Sequence, residues 1–392
     1  MIQNTAELRS FNTKRIIDYL RCNDSATKNH LSDRLGLCFA TVSNICNQLI
    51  SDGILENVLS PKASGGRIPQ LLLINPSSKY TLALDLTNKG SLDLAVVNLK
   101  SEVVAAKRVK SLSPDSIQRL LETIVDLSRE TLSELQISSD RLLGIGVAAP
   151  GILYSNTECL INSTNPLFEN MPLKSMLEKA FNLPIEIENE SNLLAMAESL
   201  FRRSDETYNK DIVYLFVGEG IGVGIISNGK LLTGSRGLGG EISHIPIGER
   251  NYLCTCGHYG CVETELALHG FLRKYMEDKG IFSSSTSRDW DGFVKALLSG
   301  DTIAQAVLAE NGRIFGKLIS ILINIFDPEV VYLGGITEAI FEHLYPHIDE
   351  EVRSRVIVPH LHKIPILKSV NYQRLIFKGC GELVFSKWKP GV

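Results

Sequence analysis

The chain has 392 residues, of which 44% are hydrophobic and 21% charged, and a net charge of −4. That length predicts two or three domains, and the composition fits a soluble globular protein with a sizeable core. The overall charge does not advertise nucleic-acid binding, no uninterrupted apolar run reaches membrane-spanning length, and the polar start MIQNTAELRS predicts no secretory signal. Charge is nevertheless uneven: residues 1–79 carry nine Lys/Arg against six Asp/Glu, or +3, which leaves −7 for the remainder. A basic head on an acidic body is compatible with a small DNA-binding module. Clustered thiols suit a reducing compartment, so a cytoplasmic location is expected.

Residues 12–55 read as three short helices. In the first, over 13–20, Ile16, Ile17 and Leu20 share a face. Ser25 and Thr27 are each suited to cap a second helix, which ends at Leu35 with Gly36 behind it. A tight turn at 36–38 leads to a third helix over 39–51, with Val42, Ile45, Leu49 and Ile50 facing inward. Ala40, Thr41, Ser43, Asn44 and Asn47 face outward, short side chains able to approach base edges. Two β segments, 54–59 and 70–74, flank a tip running from Pro61 to Pro69. In that tip Gly65 and Gly66 permit close approach to DNA, Lys62 adds charge, and Arg67 is placed to enter a narrow minor groove. The whole reads as a winged helix-turn-helix with operator DNA as partner. Use of the same head for protein contacts or dimerisation is the alternative.

From Tyr80 onward strands and helices alternate, which predicts a layered α/β architecture. Strand-like runs lie at 80–86, 93–98, 143–148, 183–188, 212–217 and 225–226. An amphipathic helix covers 114–135, with Ile117, Leu120, Leu121, Ile124 and Leu127 at helical spacing. Another carries Leu193, Leu194, Met196 and Ala197. The run Gly218-Glu219-Gly220-Ile221-Gly222-Val223-Gly224 reads as a loop, 283–289 as a polar surface loop, and 303–326 as a long helix.

Three of the eight cysteines, Cys254, Cys256 and Cys261, fall within eight residues, shortly after His244. Gly257 and Gly260 allow the backbone to fold tightly between them. Three thiolates and an imidazole can close a tetrahedral shell around Zn²⁺ and leave no position open to substrate water, so a structural metal is expected. Buried or oxidised cysteines are the alternative, although a disulfide would leave one thiol over.

Gly240-Glu241-Ile242-Ser243-His244, followed after nine residues by Cys-x-Cys-Gly-x-x-Gly-Cys-x-Glu ending at Glu263, resembles the ROK family of sugar kinases and sugar-responsive repressors. The resemblance covers nearly the whole chain. In the head, Leu31-Ser32, Gly36-Leu37, Thr41-Val42-Ser43 and the wing run Gly66-Arg67-Ile68-Pro69 are similar to ROK repressors, with Cys38 where those proteins usually carry Ser. The resemblance implies an α/β body of two actin-like, ribonuclease-H-like lobes with a cleft between them. The head would span 1–79, the first lobe 80–190, and the second 191–379 with the zinc loop and dimerisation helices. A returning helix at 381–388, within 380–392, would rejoin the first lobe. It further implies that Asn189, Glu190, Glu241 and Glu263 hold sugar hydroxyls. Gly151 and Asn165 would lie near the sugar on the opposite lobe, and His244 would face the pocket with the nitrogen not used for zinc. A homodimer, possibly a tetramer, and a monosaccharide or derivative as effector follow from the same likeness; no membrane partner does.

Kinases of the family cradle ATP with Asp-x-Gly-Gly-Thr and Gly-Thr-Gly-x-Gly loops and deprotonate the sugar with the Asp of Asn-Asp-x-Asn. Here the matching runs are Asp85-Leu86-Thr87-Asn88-Lys89, Gly218-Glu219-Gly220-Ile221-Gly222 and Asn189-Glu190-Ser191-Asn192. Side chains at Thr87 and Asn88 fill space that glycines leave for phosphate. Glu219 sets a carboxylate beside an anionic chain. Glu190 is one methylene longer than the expected base, and about 1 Å of misplacement costs on the order of 100-fold. The expected protein is therefore a transcriptional repressor relieved by a bound sugar, not an enzyme. A sugar kinase with a fused DNA-binding head is the alternative reading, and a dock for a transporter component is a third.

Overall fold

The computed structural model describes residues 5–59, 70–88, 90–110, 116–154, 157–161, 163, 165–201, 211–281, 289–357 and 363–390. Helix α1 (Thr5–Cys22) starts eight residues before the expected position. Its first turns leave Leu8 and Phe11 exposed, so the apolar periodicity that marks the inner face begins only at Ile16. Helix α2 (Lys28–Leu35) is capped by Thr27, not Ser25: the Thr27 hydroxyl accepts the His30 N–H at 3.1 Å. Gly36 ends it at φ 61°, a left-handed conformation that glycine adopts without penalty.

Helix α3 (Phe39–Ser51) has the bounds expected from sequence. Cys46 joins Val42, Ile45 and Leu49 in its buried face, while Ile50, expected inside, is only half-buried. Cys38 holds the cap position without bonding the helix backbone; its Sγ lies 3.0 Å from Thr41 Oγ1 instead. A serine there would supply the missing cap. Cys38→Ser is expected to raise the melting temperature by about 2–4 °C, read by calorimetry, and an unchanged or lower value would contradict the capping argument.

Strands β1 (Leu55–Leu59) and β2 (Gln70–Ile74) pair antiparallel, with Leu55 opposite Ile74. Ala26 pairs with Leu72, which ties the α1–α2 connection to this hairpin. The wing tip, with Lys62 and Arg67, lies outside the described residues, as does most of the expected surface loop at 283–289.

Then follow β3 (Tyr80–Asp85), β4 (Ser91–Asn98), β5 (Val103–Lys110), α4 (Ile117–Glu134), β6 (Leu142–Ala149), β7 (Ile152–Tyr154), β8 (Cys159–Ile161), α5 (Leu173–Phe181) and β9 (Ile185–Asn189). The sheet order is β5-β4-β3-β6-β9, and β7 and β8 form a separate hairpin. Next come α6 (Glu190–Phe201), β10 (Ile212–Val217), β11 (Ile221–Ser227), β12 (Lys230–Leu231), α7 (Val262–Leu266), α8 (Leu268–Asp278), α9 (Trp290–Leu298), α10 (Thr302–Phe326), β13 (Val330–Gly335), α11 (Phe341–Arg355), β14 (Ile366–Lys368) and α12 (Tyr372–Lys387). Their sheet runs β12-β11-β10-β13-β14. In both sheets the first three strands pair antiparallel and the last two join in parallel, so one topology is built twice. That duplication is what an actin-like body requires. Each sheet has its own core: Leu82, Leu94, Val96 and Val147 in the first, Val213, Leu215, Phe315 and Leu333 in the second.

The chain divides into two compact units. The first comprises Met1–Asn189, Leu200–Tyr208 and Arg374–Val392; the second comprises Glu190–Ser199 and Asn209–Gln373. The head belongs to the first unit, and a buried cluster holds it there. Arg21, near the end of α1, donates to Leu99 O at 2.7 Å and Ser101 Oγ at 2.8 Å. It pairs with the Glu382 carboxylate of α12 and lies over the Phe385 ring. Ser101 completes the ring of contacts by donating to Glu382 at 2.6 Å. Helix α12 begins nine residues before the expected start at 381 and packs directly on the sheet: a Cβ on Gly146 would stand 2.2 Å from Cys380 O. Among the described residues no helix is long and apolar enough to cross a membrane.

Candidate functional site

Of the outward residues expected on α3, Ala40, Asn44 and Asn47 are exposed, and Thr41 and Ser43 are half-buried. Three exposed residues of this helix escaped the sequence reading, Phe39 at its first position, Gln48, and Ser51 at its last. A contact from α2 did as well. Lys28 Nζ donates to Asn47 Oδ1 at 2.6 Å and to Ser43 Oγ at 3.3 Å.

In the second unit the segment after His244 folds as a knuckle. Pro246 bridges Cys261, Leu253 bridges Tyr259, and Gly257 and Gly260 take φ of 90° and 69° to close it. The result brings one ligand atom each from His244, Cys254, Cys256 and Cys261 within 4.8 Å of one another. A tetrahedral zinc, with Zn–S near 2.3 Å and Zn–N near 2.0 Å, separates its ligand atoms by roughly 3.5–3.8 Å. Cys254 Sγ lies 3.5 Å from His244 Nδ1, and Cys256 Sγ lies 3.6 Å from Cys261 Sγ. The second distance is far beyond a disulfide bond, and all three cysteines are free thiols. The donor set therefore fits a metal. His258, which sequence reasoning missed, stands 3.6 Å from Cys256 Sγ but outside the converging group. Burial pushes the Cys261 thiol up to about 12 without an ion, so metal uptake must release a proton there.

The knuckle is anchored by charge. Arg250 grips Asp278 of α8 at 2.7 and 2.8 Å and Glu310 of α10 at 2.7 and 2.9 Å. Its backbone N–H reaches Glu265 at 3.2 Å, and the fully buried Glu265 pairs with the fully buried Lys274 at 2.6 Å.

Glu241 and Glu263 flank this knuckle in sequence, three residues before His244 and two after Cys261. Glu263 N–H bonds Ser243 O at 2.9 Å, which joins the two ends. Glu241 is exposed, and His244 and Glu263 are half-buried. A Cβ added to Gly220 would lie 3.9 Å from Glu263 Oε2, so the glycine loop adjoins that carboxylate. The loop itself is shorter than expected. Only 218–220 is irregular; Ile221 onward is strand β11. Its glycines serve packing, since a Cβ on Gly224 would meet Ser191 O of α6 at 2.2 Å and one on Gly222 would meet Ser191 Oγ at 2.9 Å. Glu190 opens α6.

The remaining expected sugar residues belong to the first unit. Asn189 ends β9, where its N–H donates to Glu188 Oε1 at 2.9 Å. Asn165 caps a 3₁₀ turn, its Oδ1 accepting the Leu167 N–H at 3.1 Å, and leaves its amide NH₂ as the donor it can offer. Ser163, not foreseen, links it to the Pro150-Gly151 corner: its hydroxyl donates to Pro150 O at 2.5 Å and accepts the Asn165 N–H at 3.2 Å. At the other candidate phosphate loop, Asp85 is closed on itself. Thr87 donates to its Oδ1 from the hydroxyl at 2.6 Å and the backbone at 2.9 Å, and Asn88 donates to Oδ2 at 3.3 Å. Burial raises the Asp85 carboxyl above its ordinary value, against the pull of these bonds.

Comparison with known proteins places this geometry. The ROK family model matches residues 84–374. A xylose repressor of Caldicellulosiruptor bescii is 27% identical, covering 98% of this chain and 97% of that protein. The crystal structure of a ROK family transcriptional regulator, homologous to the E. coli MLC protein, superposes with a TM-score of 0.81 at 23% identity over 97% of this chain and 96% of that one. A ROK hexokinase from Thermus thermophilus superposes with a TM-score of 0.65 at 22% identity, with 78% of this chain covering 97% of the enzyme.

Proposed function

The chain belongs to the ROK family, and from that premise we propose that it is a sugar-responsive repressor of carbohydrate-use genes, with zinc at the His244 cluster. The observation that carries the reading is the coexistence of a helix-turn-helix head and a ROK body along a chain matched almost end to end by a xylose repressor. The head reads operator DNA through α3, and a homodimer sets two heads on two half-sites. A neutral sugar or derivative is held through its hydroxyls by Glu241, Glu263 and His244, with Glu190, Asn189, Asn165 and Gly151 as further partners. Each well-paired hydroxyl contributes about 1 kcal/mol, so number and orientation set selectivity. Zinc, when bound, supplies a fixed tetrahedral crosslink. The residues do the rest: Arg250 and Glu265 hold the knuckle, and the knuckle fixes the two carboxylates at its ends.

Sugar phosphorylation is not part of this reading. Thr87 and Asn88 close the Asp85 carboxylate on itself, Gly222 and Gly224 back onto α6, and Glu219 adds negative charge to the remaining loop. Relief of repression needs a sugar that prefers the DNA-free form; about 1.4 kcal/mol of preference gives tenfold release. The test has two arms. A duplex selected from randomised DNA by the full chain should be released by one member of a panel of monosaccharides and their phosphates, followed by gel shift. In a coupled assay, ATP turnover with the same panel should stay at background. Turnover with any sugar favours the kinase reading, and selection of no duplex removes the repressor reading.

A further inference from the structure

Lys28, the first residue of α2, is half-buried, and its ammonium faces α3. It lies 2.6 Å from Asn47 Oδ1 and 3.3 Å from Ser43 Oγ, and its positive charge also reaches Cys46 on the buried side of that helix. An ammonium is a donor with no acceptor capacity. The atom of Asn47 that it meets is therefore the amide oxygen, and the NH₂ group is turned away from it. Ser43 likewise accepts from Lys28 and keeps its own O–H to give. Both side chains lie on the face of α3 that Asn44 and Ala40 expose.

We propose that Lys28 turns Ser43 and Asn47 into a donor-biased reading pair, drawing both oxygens toward α2 and leaving the Asn47 NH₂ and the Ser43 O–H to face DNA. The base facing them in each half-site must then present acceptors on its major-groove edge, and guanine, with N7 and O6, is the best match. An unrestrained asparagine selects the opposite purine. It pairs with adenine by giving its NH₂ to N7 and accepting from the N6 amino group, which requires the oxygen to face the same base edge, whereas Lys28 draws it toward α2. Lys28 is a positioning residue here, since it acts on sequence choice through Asn47. The inference rests on the reading of α3 as the DNA-contacting helix.

The test uses the full chain and a duplex that it selects from randomised DNA, with affinities measured at one fixed salt concentration. One guanine per half-site is expected at which 7-deazaguanine costs roughly tenfold or more in affinity. Asn47→Ala should abolish that difference. Lys28→Met should move the preference at the same base to adenine, whereas Lys28→Arg, which still donates, should keep guanine. A guanine preference unchanged in Lys28→Met overturns the proposal, as does adenine at the base whose identity Asn47→Ala relaxes. Selection of no duplex at all sinks the DNA reading of α3 and this proposal with it, a failure distinct from a duplex bound with the wrong base preference.

Discussion

Arg21→Ala is expected to destabilise the first unit by about 3–5 kcal/mol, because it leaves the buried Glu382 carboxylate without its counter-charge. The arginine side chain is 3% exposed and its partner 9%, so water cannot take over the lost role. Leu99 O would lose its hydrogen bond in the same substitution, and Phe385 the guanidinium above its ring. The effect belongs to breaking the pair, not to the pair itself. Replacing both partners with apolar residues, Arg21→Met with Glu382→Leu, should therefore recover most of the stability. The readout is a double-mutant cycle in denaturant. If each single change costs less than about 1 kcal/mol, the cluster is wetter than its geometry implies. The same variants bear on regulation, since Arg21 sits on the head and Glu382 on the body's closing helix. The double variant should bind DNA yet answer sugar more weakly.

Loss of one knuckle thiol should have the second large effect. Cys261→Ala removes a buried thiol of the proposed zinc cluster, and purified protein should then carry less than one equivalent of zinc by elemental analysis. Structural zinc sites in small peptides contribute on the order of 10 kcal/mol at neutral pH. The anchors at Arg250 and Glu265 retain part of the fold without the ion, so the expected cost is lower. A loss of about 3 kcal/mol would lower the melting temperature of a unit of this size by roughly 6–12 °C. Chelation of the native chain should reproduce the shift, and mild acid should do so as well, because protonated thiols do not hold zinc. Native protein that carries no zinc, or that melts unchanged after chelation, would remove the ion from the account.

The sequence exposed the head with little loss. Thr27, Gly36 and the spacing of Val42, Ile45 and Leu49 act locally, within one or two turns of the chain, so their meaning does not depend on distant partners. The clustering of His244, Cys254, Cys256 and Cys261 in the knuckle was legible for the same reason. Strand β5 was not: Val103–Lys110 alternates half-buried with exposed residues, and Ala and Lys dilute its β signal. Helix α5 was missed, and α12 was entered late because Gly379 and Gly381 resemble a break until Val97 is seen against Gly381. The glycines at 222 and 224 invited a phosphate-loop reading, although Ser191 explains them, with its side chain against the first and its carbonyl against the second. Lys28 was invisible for a related reason. Periodicity finds the outer face of α3 but cannot show what α2 lays across it.

Arg21 and Glu382 stand 361 positions apart, and Gly146 waits for Cys380 across a shorter but still long gap. At a ribosomal speed of 5–20 residues per second, the growing polypeptide carries an unmatched guanidinium on its leading helix for some tens of seconds. Every nascent copy passes that interval with its two ends unjoined. A premature stop at or shortly before codon 382 would leave this state permanent, producing a reader of DNA deaf to its signal, or prey for proteases.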